Sequence, residues 1–454
     1  MHNILEKQKK FFKSGKTLDI NLRIEYLKKL KKVIKDNEIA IFEVLNKDLG
    51  KSETEAYMCE VGLTLDEISY MIKNIKKFAK EKIVPTPLTN FHSKSIIKLV
   101  PRGNVLIMSP WNYPFLLTME PLVDAISAGN TVILKPSAYS KFTSDIVSKI
   151  IKDVFPEEYV AVVKGGREEN KQLLSYKYDY IFFTGSQSVG KEVLRSASEH
   201  LTPVALELGG KSPCIIDKTA NIDLSAKRIV FGKFLNCGQT CVAPDYILCE
   251  ESIKQELIKA IKKEIIKQFG ENPIENPNYG KIINEKHFNR VRNLIDFDKT
   301  IIGGKTNPET LKIEPTVLDN ITWADNVMKE EIFGPVLPIL TFKTINEVVE
   351  TVENHPHPLA LYVFSTDKNN IKHITEHCRY GGGCINDVVV HLATPEMPFG
   401  GVGESGMGSY HGKFGFETFS HRKSTLDKKL WLDLPMRYQP YKNFYNKLLR
   451  IFLK

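Results

Sequence analysis

Five short apolar runs between residues 101 and 210 constrain the fold more than any other feature: NVLIMSP, TVILKPS, VAVVKGG, YIFFTGS and VALELGG. Each is rich in Val and Ile and ends in Gly, Pro or Ser, and stretches of helical length separate most of them. Runs this short and continuous fit buried parallel strands joined by crossover helices. A second series follows in SPCIID, YILCE, PVLPILTF and LALYVFS, with helices expected near 252–268, 346–354 and 368–378. Ahead of both, residues 3–80 read as helices. There Leu22, Tyr26, Leu30, Val33 and Ile34 recur at helical spacing and lysines fill the other face. The pattern breaks at Pro85 and Pro87, and HSKSIIKLV reads as extended. The expectation is two α/β bodies, a helical lead-in and a distinct tail, with no internal repeat.

Composition narrows the class. A chain of 454 residues, at roughly 150 per domain, allows about three domains. With 42% hydrophobic and 26% charged residues it is neither collagenous nor disordered. No apolar run approaches the ~20 residues that span a bilayer. Met1 to Lys10 is polar, without the apolar core of a secretory signal. Seven cysteines are too sparse, and odd in number, for a disulfide framework. A cytoplasmic chain with reduced thiols is expected. The net charge of +9 is concentrated: residues 421–454 carry nine Lys/Arg against two Asp, leaving the body nearly neutral. A broad nucleic-acid face is therefore excluded.

Ligands of open α/β sheets bind at strand ends, so those ends hold the candidate residues. After YIFFT, the turn from Gly185 through Ser186 to Gly190 opens a helix, where backbone amides can approach a pyrophosphate. It is not GxGxxG, it lacks the Lys-Ser/Thr of a P-loop, and alone it is equally a tight turn. Lys135 ends the strand TVILK and is either a surface lysine or a cation for ribose hydroxyls or phosphate. Glu207 stands before Gly209-Gly210, as a turn cap or a buried base whose raised pKa suits neutral pH. Cys237 and Cys241 lie four apart in NCGQTCVAPD. Small buried hydrophobes are the plain reading, and no second Cys or His pair makes them a metal site, so none is expected. His355-Pro356-His357 reads as a turn.

Order and spacing carry more than any one signal. Asn112 in SPWNYPF, Lys135 in LKPS, Gly185 and Gly190 in FTGSQSVG, Glu207 in ELGGKSP, Cys241 in NCGQTCVAPD, Glu331 in EEIFGP and Phe399 in MPFGG occur in that order. The set resembles the aldehyde dehydrogenase superfamily. FFKSGKT, DLGKSETEAY, NCGQTCVAPDY and MPFGGVGESGMGSYHGKFGFETFSHRKS resemble its class 3 branch, which includes fatty aldehyde dehydrogenases. The resemblance runs from about residue 8 to residue 426.

What it implies is specific. The fold would be α/β, with a Rossmann-type dinucleotide-binding domain (1–80 and 100–206) and an α/β catalytic domain (207–413). A small β oligomerisation arm (81–99 and 414–435) and a basic tail (436–454) would complete it. Cys241 would be the nucleophile, Glu207 the base, and Asn112 with the Cys241 backbone amide the oxyanion hole. Lys135 and Glu331 would hold the two riboses of NAD or NADP, Gly185, Ser186 and Gly190 its pyrophosphate, and Phe399 would border the nicotinamide. An aldehyde, medium- or long-chain aliphatic or aromatic, would become an acid through a thiohemiacetal and a thioester. Relatives that pass the acyl group to coenzyme A often lack the ELGG carboxylate, and retention of Cys241 with Glu207 argues against a silent binding protein.

The chain departs from the family at Lys135-Pro136-Ser137-Ala138, where many relatives carry Glu at the last position to bind the adenine ribose. NADP is therefore expected to be accepted beside NAD. A homodimer is expected through the arm. In the tail, Tyr441, Phe444, Tyr445, Leu448, Leu449 and Phe452 form a helical apolar stripe, with Lys442, Lys447, Arg450 and Lys454 largely off it. Such a helix lies in a membrane interface, here the inner face, or packs on the dimer partner.

Overall fold

The computed structural model describes residues 1–453; Lys454 and the Phe452 side chain lie outside the described residues. Helices dominate the first 78 residues, as expected, but the buried stripe is rotated. In the helix Ile20–Asp36, capped by the Asp19 side chain, the buried residues are Arg23, Leu27, Leu30 and Ile34. Leu22, Tyr26 and Val33 are only half-buried. Arg23 takes an inward position because its guanidinium donates to the carbonyls of Thr17 (2.5 Å) and Ser127 (3.1 Å). A buried charge is tolerated when its donors are satisfied.

Two sheets follow. The first has six strands in the order Gly406–Met407, Val204–Leu208, Tyr180–Gly185, Asn104–Met108, Thr131–Lys135 and Val160–Val162. The last five are parallel and Gly406–Met407 adds antiparallel at the edge. The second has seven: Thr300–Ile302, Thr316–Leu318, Val336–Phe342, Tyr246–Glu250, Pro213–Ile216, Ala360–Phe364 and Gly382–Ile385. All but Thr300–Ile302 run parallel. The expected helices of this half lie at Lys254–Phe269, Ile345–Glu353 and Lys368–His377. One apolar core continues through both sheets, from Val105 and Ile107 to Ile215 and Leu340.

Register aligns the C-terminal ends of the first sheet. Met108 pairs with Lys135 on one side and Phe183 on the other, and Thr184 pairs with Glu207. The candidate strand-end residues therefore sit along one edge. The helix Leu116–Ala128 packs behind it with all 13 residues buried, including Glu120 and Asp124.

A third, three-stranded antiparallel sheet joins Lys82–Val84, Ser93–Pro101 and Ser420–Lys428. Residues 414–418, read from sequence with the arm, belong instead to the helix Gly412–Thr418. Burial of Phe416 and Phe419 against the body outweighs the poor helix propensity of a glycine-rich segment. The tail ends in the helix Asn443–Phe452. Among the described residues, no helix is long and apolar enough to cross a membrane.

Candidate active site

Between the strand ends of the two sheets lies a cleft of about 540 Å³. Seven of the nine expected residues line it: Asn112, Gly185, Ser186, Glu207, Cys241, Glu331 and Phe399. Gly190 and Lys135 do not. Gly190 is buried in the helix Gln187–Ser198, where an added methyl would press on Leu208 at 2.7 Å, so its role is helix–sheet packing. Lys135 ends its strand with its ammonium donating to the carbonyls of Pro136 (3.0 Å) and Gly165 (2.8 Å). Burial lowers it to about 8.

Cys241 follows a left-handed turn, with positive φ at Asn236, Cys237 and Gly238. For a non-glycine residue that conformation costs roughly 1–3 kcal/mol, so surrounding bonds must hold it. The Asn236 amide donates to Glu55 (2.9 Å), and its side chain donates to the carbonyls of Asn112 (2.8 Å) and Gln239 (3.1 Å). Gln239 ties back to Asn236 and Lys281 and accepts from Ile283. Cys241 is thus held at the cleft while Cys237 is fully buried. Burial, then the carboxyls of Glu331 and Glu207, push the Cys241 thiol up to about 12. The resting residue is therefore a thiol and needs a base.

Glu207 is buried with neither carboxylate oxygen hydrogen-bonded, and burial raises its pKa well above the usual range. Glu331 is seated directly on Gly209, where a methyl would lie 2.0 Å from its Oε2; only a glycine leaves that room. Its segment is fixed by the Ile332 amide on Asp245 (2.9 Å) and by Arg290, which donates to the carbonyls of Glu331 (3.4 Å) and Ile332 (2.6 Å). Burial, with Asp245 next, raises Glu331 to about 8.

The Asn112 side chain donates to the Gln239 carbonyl (3.0 Å). Behind it lies an ion pair with no exposed side-chain surface: Lys51 to Glu60 at 2.5 Å. Lys51 also donates to the Asn112 carbonyl (3.1 Å) and stands 3.9 Å over the Tyr113 ring. Glu60 accepts from the amides of Phe115 (2.8 Å) and Leu116 (3.2 Å). Sequence reasoning assigned no role to Lys51, Glu60, His287 or Arg290. Lys51 lies within DLGKSETEAY, but a lysine among lysine-rich helices carries no sign of burial.

The residues present fit a dinucleotide. Ser186 gives the helix Gln187–Ser198 no side-chain cap, so its first amides remain donors at the cleft. Thr184 Oγ1, like both Glu207 oxygens, is buried with no partner. Groups left this way cost ~1–3 kcal/mol unless a ligand satisfies them.

The comparisons agree with the geometry. Residues 1–425 match the model of the aldehyde dehydrogenase family. The chain is 47% identical to a 4,4'-diaponeurosporen-aldehyde dehydrogenase of Staphylococcus aureus over 100% of both sequences. It is 44% identical to the dimeric NADP-preferring aldehyde dehydrogenase of Mus musculus over 94% of each. A solved Staphylococcus aureus AldH in its substrate-bound state superposes with a TM-score of 0.98 at 46% identity, over 100% of this chain and 99% of that one.

The buried pair yields a prediction. Lys51→Met alone leaves Glu60 uncompensated and is expected to cost about 3–5 kcal/mol in urea unfolding. Adding Glu60→Gln removes the orphan charge yet keeps an acceptor for Phe115 and Leu116, so most of that stability returns. Equal stability of the single and double variants would contradict this account.

With the motif order, the cleft and the whole-chain similarity in agreement, the chain belongs to the class 3 branch of the aldehyde dehydrogenase family, NAD(P)-dependent oxidoreductases that convert aldehydes to carboxylic acids.

Proposed function

We propose that Cys241 is the nucleophile and Glu207 the base of this oxidation, and that Asn112 with the Cys241 amide forms the oxyanion hole. The observation that carries the reading is the pairing, in one cleft, of a protonated, half-buried thiol with an unbonded buried carboxyl. The ionised Glu207 takes the Sγ proton, and the thiolate adds to the aldehyde carbon as its C=O bond opens to an oxyanion. Positioned N–H donors stabilise that charge; one such donor is worth ~10²–10³ in rate. The bound dinucleotide supplies the acceptor for the hydride released as the thiohemiacetal collapses. Cys241 then carries the acyl group as a thioester. Once its first proton has passed to solvent, Glu207 takes a proton from water, whose oxygen attacks the acyl carbon; the C–S bond breaks, the acid leaves, and that proton returns to the thiolate to restore the thiol.

On the same reading Lys135 and Glu331 hold the two riboses, Gly185, Ser186 and the first amides of the helix Gln187–Ser198 receive the pyrophosphate, with Gly190 packing that helix on the sheet, and Phe399 borders the nicotinamide. Dinucleotide binding falls to the lead-in helices and six-stranded sheet, catalysis to the seven-stranded sheet, and chain pairing to the arm. The substrate class is an extended apolar aldehyde, aliphatic or aromatic. Two features support this: the aldehyde named for the staphylococcal relative, and a separate apolar cluster beside Asn112 of Cys59, Tyr113, Leu116 and Leu117, flanked by Leu63 and Leu235.

Cys241→Ser is expected to abolish turnover while Cys237→Ser, buried away from the cleft, retains most of it. Glu207→Gln is expected to leave a burst of reduced dinucleotide without steady turnover. The raised carboxyl pKa sets a sign: the ionised base grows as pH rises, so parental turnover climbs from acid to alkaline pH. Full turnover by Glu207→Gln would remove it from the base role.

Ala138 is exposed beside the end of Lys135's strand and brings no carboxylate to repel a 2′-phosphate. Both dinucleotides are expected to work, with kcat/KM values within ~10³-fold, about 4 kcal/mol. The mouse relative is named as NADP-preferring. A larger preference for NAD would refute the assignment.

The arm offers unpaired strand edges, with residues 421–427 exposed, which fits pairing with a second copy. Beyond it, Tyr441, Phe444 and Ile451 are more than 60% exposed, and Lys442, Lys447 and Arg450 are exposed beside them. This suits peripheral contact with an anionic membrane surface, each cation there worth roughly 1 kcal/mol and screened by salt. A chain cut after Pro440 is expected to remain dimeric by light scattering but to lose low-salt co-sedimentation with anionic vesicles. Equal, negligible binding by full and cut chains would leave the tail as a packing element.

A further inference from the structure

Behind one wall of the cleft, three helices bury ionisable groups that the oxidation does not use. Gly62–Phe78 contributes Glu67, Leu116–Ala128 contributes Glu120 and Asp124 one turn apart, and His411 caps the start of Gly412–Thr418. All four are buried. Close packing is forced at Gly415, where a methyl would lie 1.9 Å from Asp124 Oδ2. His411 Nε2 stands 3.4 Å from Glu120 Oε2, and the Gly412 amide donates to Glu67 (2.8 Å).

The cluster touches the cleft through two rings that line it, Phe399 and Tyr410, the latter edge-on to His411 at 4.3 Å. The His411 imidazole stacks on Phe399 with centroids 5.4 Å apart and planes 14° from parallel. Phe399 and Tyr410 exchange backbone hydrogen bonds of 3.1 and 2.9 Å, which locks the two segments in register. Phe399 also nears His391 and Tyr410, at 6.1 and 5.9 Å, but neither lies parallel to it.

Three carboxyls and an imidazole in one dry site cannot all carry charge. No lysine or arginine bonds to them among the described residues. Burial and the Glu120 charge push Glu67 up to about 7, and burial with Glu67 raises Asp124 further. For His411, burial opposes the cation, but the Glu120 carboxylate outweighs it and raises the imidazole. The other groups facing His411 are Tyr410, its ring 4.3 Å away, and His391, lowered to about 4 by burial and then by His411; Tyr70, beside Glu67, is raised by burial and then by its hydrogen bond to Glu396. His411 Nε2 faces the Glu120 carboxyl and is charged only while protonated, so the clamp between them depends on that proton. Raising the pH removes the His411 proton and loosens that clamp.

We propose that His411, clamped by Glu120, is a positioning residue for the dinucleotide: its ring is the platform that holds Phe399 at the nicotinamide end of the cleft, and its pairing with Glu120 keeps that platform in place. The proposal rests on the reading of Phe399 as the residue that borders the nicotinamide.

The test is the dissociation constant of reduced dinucleotide, read by its fluorescence on the intact enzyme without aldehyde from about pH 6 to about pH 9. The parent is expected to bind more weakly at the alkaline end, by about tenfold if one proton is linked. His411→Ala is expected to bind about tenfold more weakly at neutral pH, with no remaining pH dependence. His411→Phe keeps a ring under Phe399 without a proton, so it restores the affinity and stays flat with pH. Phe399→Ala serves as the reference. If it weakens binding while His411→Ala matches the parent throughout, the platform is refuted and the reading of Phe399 stands. If Phe399→Ala itself binds like the parent, that reading falls and the platform with it. Should His411→Ala fail to fold in a thermal melt, His411→Phe decides: parental affinity with the pH dependence intact overturns the proposal.

Discussion

The ion pair between Lys51 and Glu60 connects parts of the chain that are otherwise separate. Lys51 bonds to the Asn112 carbonyl, and Glu60 receives the first free amides of the helix Leu116–Ala128. That helix is buried on every side, so its amino end has no water to turn to. The same Asn112 carbonyl accepts from Asn236, whose turn presents Cys241. The lead-in helices, the first sheet's strand ends and the nucleophile loop thus meet at one carbonyl. An apolar pair in place of Lys51 and Glu60 would fill the space but would orphan two amides and leave the Asn112 carbonyl only its bond from Asn236.

Desolvation sets the charge state of the cleft. It raises Cys241, Glu207 and Glu331 and lowers Lys135, each toward its neutral form. The cluster around His411 follows the same rule, except that the His411 proton is held by the Glu120 carboxyl facing it. A cleft built this way holds its protons until something polar arrives. Acid–base chemistry then proceeds among groups whose affinities for protons have been brought close together.

Much of this was legible in the sequence, for physical reasons. Buried parallel strands are short, continuous and β-branched, and their ends are marked by Gly and Pro, so Lys135, Gly185 and Glu207 could be placed on strand ends without coordinates. Their alignment along one edge follows from register. Buried charges were not legible. Lys51, Glu60, Glu67 and Asp124 look like any solvated helix face, because partners up to 345 residues away decide their burial. Arg23 shifted the expected apolar stripe for the same reason, its inward position being held by carbonyls at Thr17 and Ser127. The helix Gly412–Thr418 was hidden by its glycines, which local propensity counts against a helix while packing on Asp124 requires one of them.

The alignment of Met108 with Lys135 and of Thr184 with Glu207 also bears on how such a chain can vary over evolutionary time. Side chains alternate faces along a strand, so inserting or deleting one residue within Val204–Leu208 would turn Glu207 away from Cys241 while leaving the sheet itself intact. No substitution elsewhere could repair that. Length variation should therefore be confined to the connections remote from this edge, and the strands themselves should keep their residue count even where nearly every side chain in them has drifted.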